Sequence, residues 1–392
     1  MKRYFAGLSA NTFLLALASL FADVSSEMLY PVLPVFLTRV LGARVSLVGL
    51  VEGIAQATQN VVQGLSGWLS DRRGERKPIA LVGYALGALA KPLIGLSTGW
   101  PGVLGARSLD RLGSGIRSAP RDALVAASVD DASRGKAFGL EGFGDNLGAF
   151  VGPLIAIGLL GLARVELRTI FFIAFVPGVL AMLMILLVRE TPAAVEAKSR
   201  LDLSPRLFPR GYWTYLGVTA IFGIGNSSTA FLILRATELG GSLTTTIFLY
   251  ALVNLTAAVA SYPAGYLSDR VGRKGMLLVA FLVFFAVYLG FAIAPGAGVV
   301  GALFVLYGCH QGIIRAVGKA LASDLVPATL RASGVGWYSA TIGITGLVAS
   351  VIGGELWTNV GPSATFFLGA GSALAGSAAL VLFYPRIRER VR

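Results

Sequence analysis

The sequence is poor in the residues that soluble chemistry usually needs. It holds one cysteine, Cys309, and one histidine, His310. A single thiol excludes a disulfide framework and a thiolate zinc cluster. Cys309 and His310 are neighbours that diverge by about 100° on a helix, so they do not form a metal site. No metal and no cofactor is expected. Charged residues make up only 14% of the chain, against about 25% in ordinary soluble domains. So few charges cannot cover the surface of a soluble enzyme of this size. No G-x-x-x-x-G-K-[ST] motif occurs, and the longest polar stretch is 189–210. An enzyme or a nucleotide-hydrolysing pump therefore has nowhere to place its site.

Apolar residues supply 55% of the chain, with 50 glycines besides, which excludes disorder. Apolar runs long enough to cross about 30 Å of hydrocarbon lie near 11–39, 46–70, 78–99, 101–120, 134–162 and 168–188, and again near 212–236, 244–268, 275–295, 297–320, 332–357 and 363–385. The expected fold is an all-α membrane protein of twelve transmembrane helices. It divides into a six-helix bundle over 1–188, a cytoplasmic linker over 189–211 and a second bundle over 212–392. Lys2 and Arg3 ahead of Phe13–Leu20 could open a secretory signal, but apolar character resumes from Met28 to Leu37, so an uncleaved span is expected. The net charge of +13 falls in short bursts between spans rather than on one face, so nucleic acid is not an expected partner. Placing both termini in the cytoplasm of a cell whose inner membrane the chain crosses leaves 23 basic residues inside and five outside, as the positive-inside rule requires.

Two loops repeat each other. Gly67-Trp-Leu-Ser-Asp71-Arg72-Arg-Gly74-Glu-Arg76-Lys77 and Gly265-Tyr-Leu-Ser-Asp269-Arg270-Val-Gly272-Arg-Lys274 stand about half a chain apart. At nearly the same offset, Gly115 matches Gly312 and Arg134 matches Arg331. Duplicated halves are how many secondary transporters are built. Gly67 allows close helix approach, and the Asp71 carboxylate can accept amides at a neighbouring helix start and pair with an arginine. Such a charge-assisted latch would hold one closure and break when the halves rock. Gly67, Asp71, Arg72, Gly74, Arg76, Gly265, Asp269, Arg270 and Gly272 are the latch candidates.

On these motifs the chain resembles the major facilitator superfamily of transporters over its whole length. Gly139-x8-Gly148-x3-Gly152-Pro153 in span five resembles the motif of that superfamily's drug:proton antiporters, with Ala156-Ile157 where the motif ends in a glycine pair. The stretch Arg117-Ser-Ala-Pro-Arg121-Asp122 resembles a poorly characterised prokaryotic branch. The resemblance implies alternating access about a central cavity lined by the first span of each three-helix unit.

Ionisable groups inside a bilayer cost at least about 2.5–3.5 kcal/mol each, so every one needs a reason. Asp23, Glu27, Glu52, Asp110, Glu141 and Asp145 all lie in the first half, with Lys91, Arg107, Arg111 and Arg117. Asp23 and Glu27 stand one turn apart on span one and do not both ionise easily. Either they form a proton or cation site or they pair with Arg107, Arg111 or Lys91. Asp145 and Arg111 lie at similar depth and are expected to pair and to open on protonation, or to form a permanent strut. Glu52, Gln56, Gln59, Asn60 and Gln63 form one polar stripe that faces water or another helix. Proton or ion coupling is assigned to Asp23, Glu27, Glu52, Arg111, Glu141 and Asp145. Substrate contacts are assigned to Tyr30, Gln56, Arg107, Asn226, Asn254, His310 and Gln311. Pro31, Pro34 and Gly152-Pro153 predict bends in spans one and five.

The reading is a secondary active transporter in the cytoplasmic membrane. It works as a monomer, moves a small organic solute with protons as coupling ion, and export is preferred over uptake. Uptake of a charged metabolite, transport of a cation or metal by the first-half carboxylates, and a non-transporting sensor are the alternatives. If Asp71 is a latch, Asp71→Asn slows turnover in proteoliposomes while the yield of folded protein is kept. Wild-type rates would refute the latch.

Overall fold

Serine and proline set the helix starts. Ser9 and Ser242 accept hydrogen bonds from Thr12 N and Thr245 N at 3.2 and 3.1 Å, satisfying orphan donors of the first turn. Pro78, Pro101 and Pro362 fall in first turns, where the missing N–H has no intrahelical partner to lose. The computed structural model describes residues 8–73, 76–130, 134–190, 205–327 and 330–387. Its main helices are α1 (Ala10–Glu27), α2 (Val45–Arg73), α3 (Lys77–Leu96), α4 (Trp100–Ala127), α5 (Arg134–Gly161), α6 (Leu167–Leu187), α7 (Arg210–Gly223), α8 (Ala230–Glu238), α9 (Leu243–Val271), α10 (Arg273–Ile293), α11 (Val300–Asp324), α12 (Arg331–Asn359) and α13 (Pro362–Leu382). No strand occurs among the described residues. The protein is an all-α, twelve-span membrane protein, with the seventh span divided into α7 and α8.

Eight of these helices among the described residues are both long and apolar enough to cross a bilayer by themselves. The other spans are α1, α2, α4 and the divided seventh. These carry the buried charges, the glutamine and asparagine stripe, or a break.

The chain forms two compact units, one of Met1–Phe36 with Val61–Arg200 and one of Leu37–Asn60 with Leu201–Arg392. A division at the linker alone would leave Leu37–Asn60, the start of the second span, with the first half. In the first unit α1 packs on α5 and α6, and α3 packs on α4 and α6. In the second, α9 packs on α11, and α10 on α11 and α13. Lipid tails are as apolar as leucine, so these contacts depend on close packing rather than on escape from water. Small residues provide it. A methyl group added at Gly148 of α5 would stand 2.5 Å from Leu20 O and 2.9 Å from Asp23 Cβ on α1, and one at Gly152 would stand 2.9 Å from Val24 O. Gly83 and Gly113 join α3 to α4 in the same way, each 2.6 Å from the other's carbonyl oxygen if given a Cβ. In the second unit the first half of α2 lies against α12, where a methyl at Gly354 would meet Ser46 Cα at 2.7 Å.

Spans one and seven are both interrupted. Span one leaves α-helix after Glu27, resumes for a turn at Leu33–Val35 and closes in a π-helical turn at Phe36–Val40. Pro31 and Pro34 account for this, because neither can donate into the helix. Span seven breaks between Gly223 and Ala230 without any proline. There Ser228 N donates to Ser350 Oγ at 3.1 Å, and Gly225 lies so near Gly369 Cα that an added methyl would be 2.8 Å away. The bend expected in span five is not a break: α5 is continuous through Pro153. Gly272, the last glycine of the second repeated loop, sits at φ +97° between α9 and α10, a region that L side chains avoid.

Replacing Gly148 with valine should drive α1 and α5 apart and lower stability by about 1–3 kcal/mol. Thermal unfolding of the purified protein measures this. An unchanged midpoint would show that the contact is not tight.

Candidate functional site

The site is built in the first unit, where α4 carries most of the charge. Asp110 is its deepest carboxylate, 0% exposed. It receives Lys91 Nζ from α3, Arg107 Nη1 at 2.8 Å from its own helix and Arg111 Nε at 3.7 Å. Lys91 also donates to Ser26 Oγ on α1 at 3.1 Å. The Arg107 and Arg111 guanidinium groups stand 5.4 and 6.0 Å from the centre of the Tyr30 ring, close enough for cation–π attraction. Arg107, assigned to substrate contact, is 0% exposed and engaged with Asp110.

A second cluster lies further along α4. Arg117 Nη2 is 3.7 Å from Asp23 Oδ1, and its guanidinium lies 4.6 Å from the Tyr84 ring centre. Arg121 gathers Asp122 and Glu141 at 3.0 Å each and Asp145 at 3.6 Å. It also donates to Ser19 Oγ at 3.1 Å, and Ser19 in turn donates to Glu141 at 2.6 Å. The Asp23 and Asp145 carboxyl groups are within hydrogen-bonding reach of each other, with Glu27 close enough to act on Asp23 electrostatically. The close α1–α5 contact at Gly148 produces this meeting of carboxyls.

Several expected pairings are redistributed. Asp145 pairs with Arg121 rather than with Arg111, which instead joins Asp110. Depth along a helix does not fix the direction a side chain takes around it. Glu141, assigned to coupling, is 7% exposed and held by Arg121 and Ser19. Glu52 is buried and Gln56 exposed, both on the part of α2 that belongs to the second unit. In that unit His310 is fully buried. Its Nδ1 lies 2.8 Å from Ala280 O, so Nδ1 carries the proton, and Phe284 and Tyr307 flank the ring at 4.9 and 5.9 Å. Gln311 Nε2 donates to Tyr307 Oη at 2.8 Å, and Thr229 Oγ1 lies 3.1 Å from the same hydroxyl. Asn226 and Asn254 are half-buried.

The latch loops are only partly described. Gly74 lies outside the described residues, as do the side chains of Asp71, Arg72, Asp269 and Arg270 and the surroundings of Gly67 and Gly265. Arg76 Nη1 reaches Ala123 O at 3.4 Å. Sequence reasoning missed a partner here. Glu190, just past α6, accepts from Arg76 N at 2.7 Å and Lys77 N at 3.2 Å, a carboxylate on a helix start. Lys77 Nζ reciprocates by donating to Leu186 O and Val188 O at 2.8 and 2.7 Å. The capping signal was absent because Glu190 is remote in sequence from the helix it serves. Arg121, which the sequence placed among no site residues, is the hub of the second cluster.

A helical membrane bundle in two units, with a network of opposed charges buried in one of them, has the architecture of a polytopic transporter. Comparison with known proteins carries this to a family. The sequence profile of the Major Facilitator Superfamily matches residues 15–234 and 214–392, and the chain belongs to that family. An uncharacterized MFS-type transporter of Methanocaldococcus jannaschii is 35% identical over 96% of this chain and 95% of its own. The multidrug resistance protein MdtG of Salmonella arizonae is 31% identical over 60% of each chain. Among solved structures, the nucleoside transporter NupG superposes with a TM-score of 0.82 at 13% identity, covering 95% of this chain and 100% of that one. At that identity the likeness is one of fold.

Asp110→Asn should destabilise the protein by about 3–5 kcal/mol, because it strips buried Lys91 and Arg107 of their shared counter-charge. Chemical or thermal unfolding in detergent tests this. A loss below about 1 kcal/mol would mean that other groups balance the cations.

Proposed function

We propose that this family member is a secondary active transporter that moves a small organic solute by alternating access and couples it to protons through Asp23 and Asp145. The carrying observation is the approach of these two carboxyls beside Arg117 and Arg121. Two carboxylates are both acceptors, so a hydrogen bond between them requires one proton. Like charges that close do not both ionise readily. Protonation of Asp23 removes the carboxylate charge beside Arg117, whose guanidinium must find new acceptors, which supplies a two-state electrostatic element, while Arg121 keeps Asp122 and Glu141. Glu27, Glu52, Glu141 and Arg111 are the further coupling candidates. Tyr30, Gln56, Arg107, Asn226, Asn254, His310 and Gln311 remain the proposed substrate contacts, with Arg107 acting through Tyr30 and Arg111.

Rocking of bundle 1–188 against bundle 212–392, in a cytoplasmic membrane with both termini inside, completes the scheme. The relationship to MdtG, a multidrug resistance protein, and the glycine pattern of span five support export over uptake. Asp23→Asn combined with Asp145→Asn should abolish accumulation driven by a pH gradient in proteoliposomes while solute exchange persists. The solute is chosen by a thermal-shift screen of metabolites and drugs. Uphill transport that survives the double substitution would remove the pair from the mechanism.

A further inference from the structure

The arginine that faces Asp23 has a second neighbour that the scheme above leaves unused. Arg117 Nη2 stands 3.7 Å from Asp23 Oδ1, farther than a charge-assisted hydrogen bond reaches. Its guanidinium carbon lies 4.6 Å from the centre of the Tyr84 ring, within the range of cation–π attraction. Tyr84 is 3% exposed, and that attraction grows when both groups are withdrawn from water. Helix packing builds the contact. A methyl group added at Gly83 would stand 2.7 Å from Arg117 N and 2.8 Å from Arg117 Cβ, so α3 meets α4 at Arg117 itself and the residue after Gly83 delivers its ring there. The Tyr84 side chain also lies near enough to Arg121 to act on it electrostatically. Arg117 and Arg121 stand one turn apart on α4, where like charges repel. Arg121 is balanced by Asp122, Glu141 and Asp145, whereas the carboxylate paired with Arg117 among the described residues is Asp23.

We propose that the face of the Tyr84 ring is a second seat for the Arg117 guanidinium, sharing the cation with Asp23 while that carboxylate is charged and retaining it when Asp23 takes up a proton. Tyr84 is then a positioning residue of the coupling pair. An aromatic face carries its negative potential without gaining or losing a proton, so the seat is the same in both states. While Asp23 is charged, the ring keeps the guanidinium from closing on it, which leaves the carboxylate able to accept a proton. Once Asp23 is neutral, the ring holds Arg117 against the repulsion of Arg121. The charged groups around this contact are Asp23 and Glu27 on α1, Arg121 on α4 and Asp145 on α5. The small cavity beside Tyr84 and Arg117 adds Lys91 from α3 and Asp110 from α4, and from α6 only the uncharged Gly178 and Ala181. The part played in coupling rests on the proposed role of Asp23 and Asp145, whereas the seat itself does not.

The test uses purified full-length protein and two readouts that need no substrate. Tyr84→Phe keeps the aromatic face, and Tyr84→Leu keeps apolar bulk without it. The first readout is a melting-temperature cycle of Tyr84→Leu with Arg117→Leu. A seat makes the leucine at position 84 costlier when Arg117 is present than when it is absent. Additive losses overturn the seat. The second readout is the pH midpoint of the infrared band of protonated carboxyl groups, assigned by its loss in Asp23→Asn combined with Asp145→Asn. In Tyr84→Leu the guanidinium closes on Asp23 and favours its charged form, so the midpoint falls by about one pH unit, while Tyr84→Phe stays with the wild type. A midpoint that is unmoved or raised in Tyr84→Leu, or a Tyr84→Phe that moves as far, overturns the positioning role. A wild type without such a band sinks the Asp23–Asp145 reading instead, and the melting cycle then decides the seat alone. Should a leucine variant fail to fold, successively fluorinated phenylalanines at position 84 replace it. A melting temperature that falls with each added fluorine supports the seat, because fluorine drains the face without changing the packing much, and a flat series refutes it.

Discussion

The close contact between α1 and α5 is the constraint on which the first unit depends. Gly148 and Gly152 place the backbone of α5 directly against Leu20, Asp23 and Val24. In lipid there is no hydrophobic gain from pressing helices together, so only the absence of side chains permits this approach. Once it is made, Asp145 lies beside Asp23, and Glu141, one turn away on the same face, falls beside Ser19 and Arg121. The glycine pattern of span five is thus an electrostatic device as much as a packing one. It brings together carboxyls that would otherwise stay apart.

The charge of the first unit is polarised along α4. Near its start one carboxylate, Asp110, faces Lys91, Arg107 and Arg111; nearer its end Arg117 and Arg121 face Asp23, Asp122, Glu141 and Asp145. Excess cation and excess anion along one helix attract each other, an effect that solvent screens at Asp122 and Asp145, whose side chains are 46% and 43% exposed. The second unit follows another chemistry. Among the described residues its interior polar groups are mainly hydroxyls and amides, with buried Glu52 and one histidine in an aromatic surround, and Tyr212 and Tyr215 donate to the backbone of Gly334 and Gly318 at 2.6 and 2.9 Å. The first unit therefore gathers most of the buried ionisable groups, and the second holds mainly neutral ones besides Glu52.

Much of this was legible in the sequence, and what was not has physical reasons. Apolar length located the spans, and Pro31 with Pro34 located the break in span one. The matching break in span seven has no proline. It depends on a tertiary hydrogen bond from Ser228 to Ser350 and on tight approach to Gly369, neither visible locally. The carboxylates of the first half were recognised as a group because intramembrane charge is costly. Their partners were not, since Arg111 and Arg121 differ in direction around α4 and only the packed structure decides which one Asp145 meets. His310 shows the same limit: its rarity in the sequence suggested a functional contact, whereas burial beside Phe284 with a bond to Ala280 gives it a packing role as well.

The grip of Glu190 on Arg76 and Lys77 has a consequence for how the protein can vary. A carboxylate at the exit of span six holds the first amides of span three, so the chain arriving there from span two is measured against a fixed anchor. Side chains in that connecting turn can be exchanged freely as far as this anchor is concerned. Loss of the Glu190 carboxylate, by contrast, would free both amides at once. The clasp therefore depends on what stands at position 190 and little on the side chains of the residues it holds.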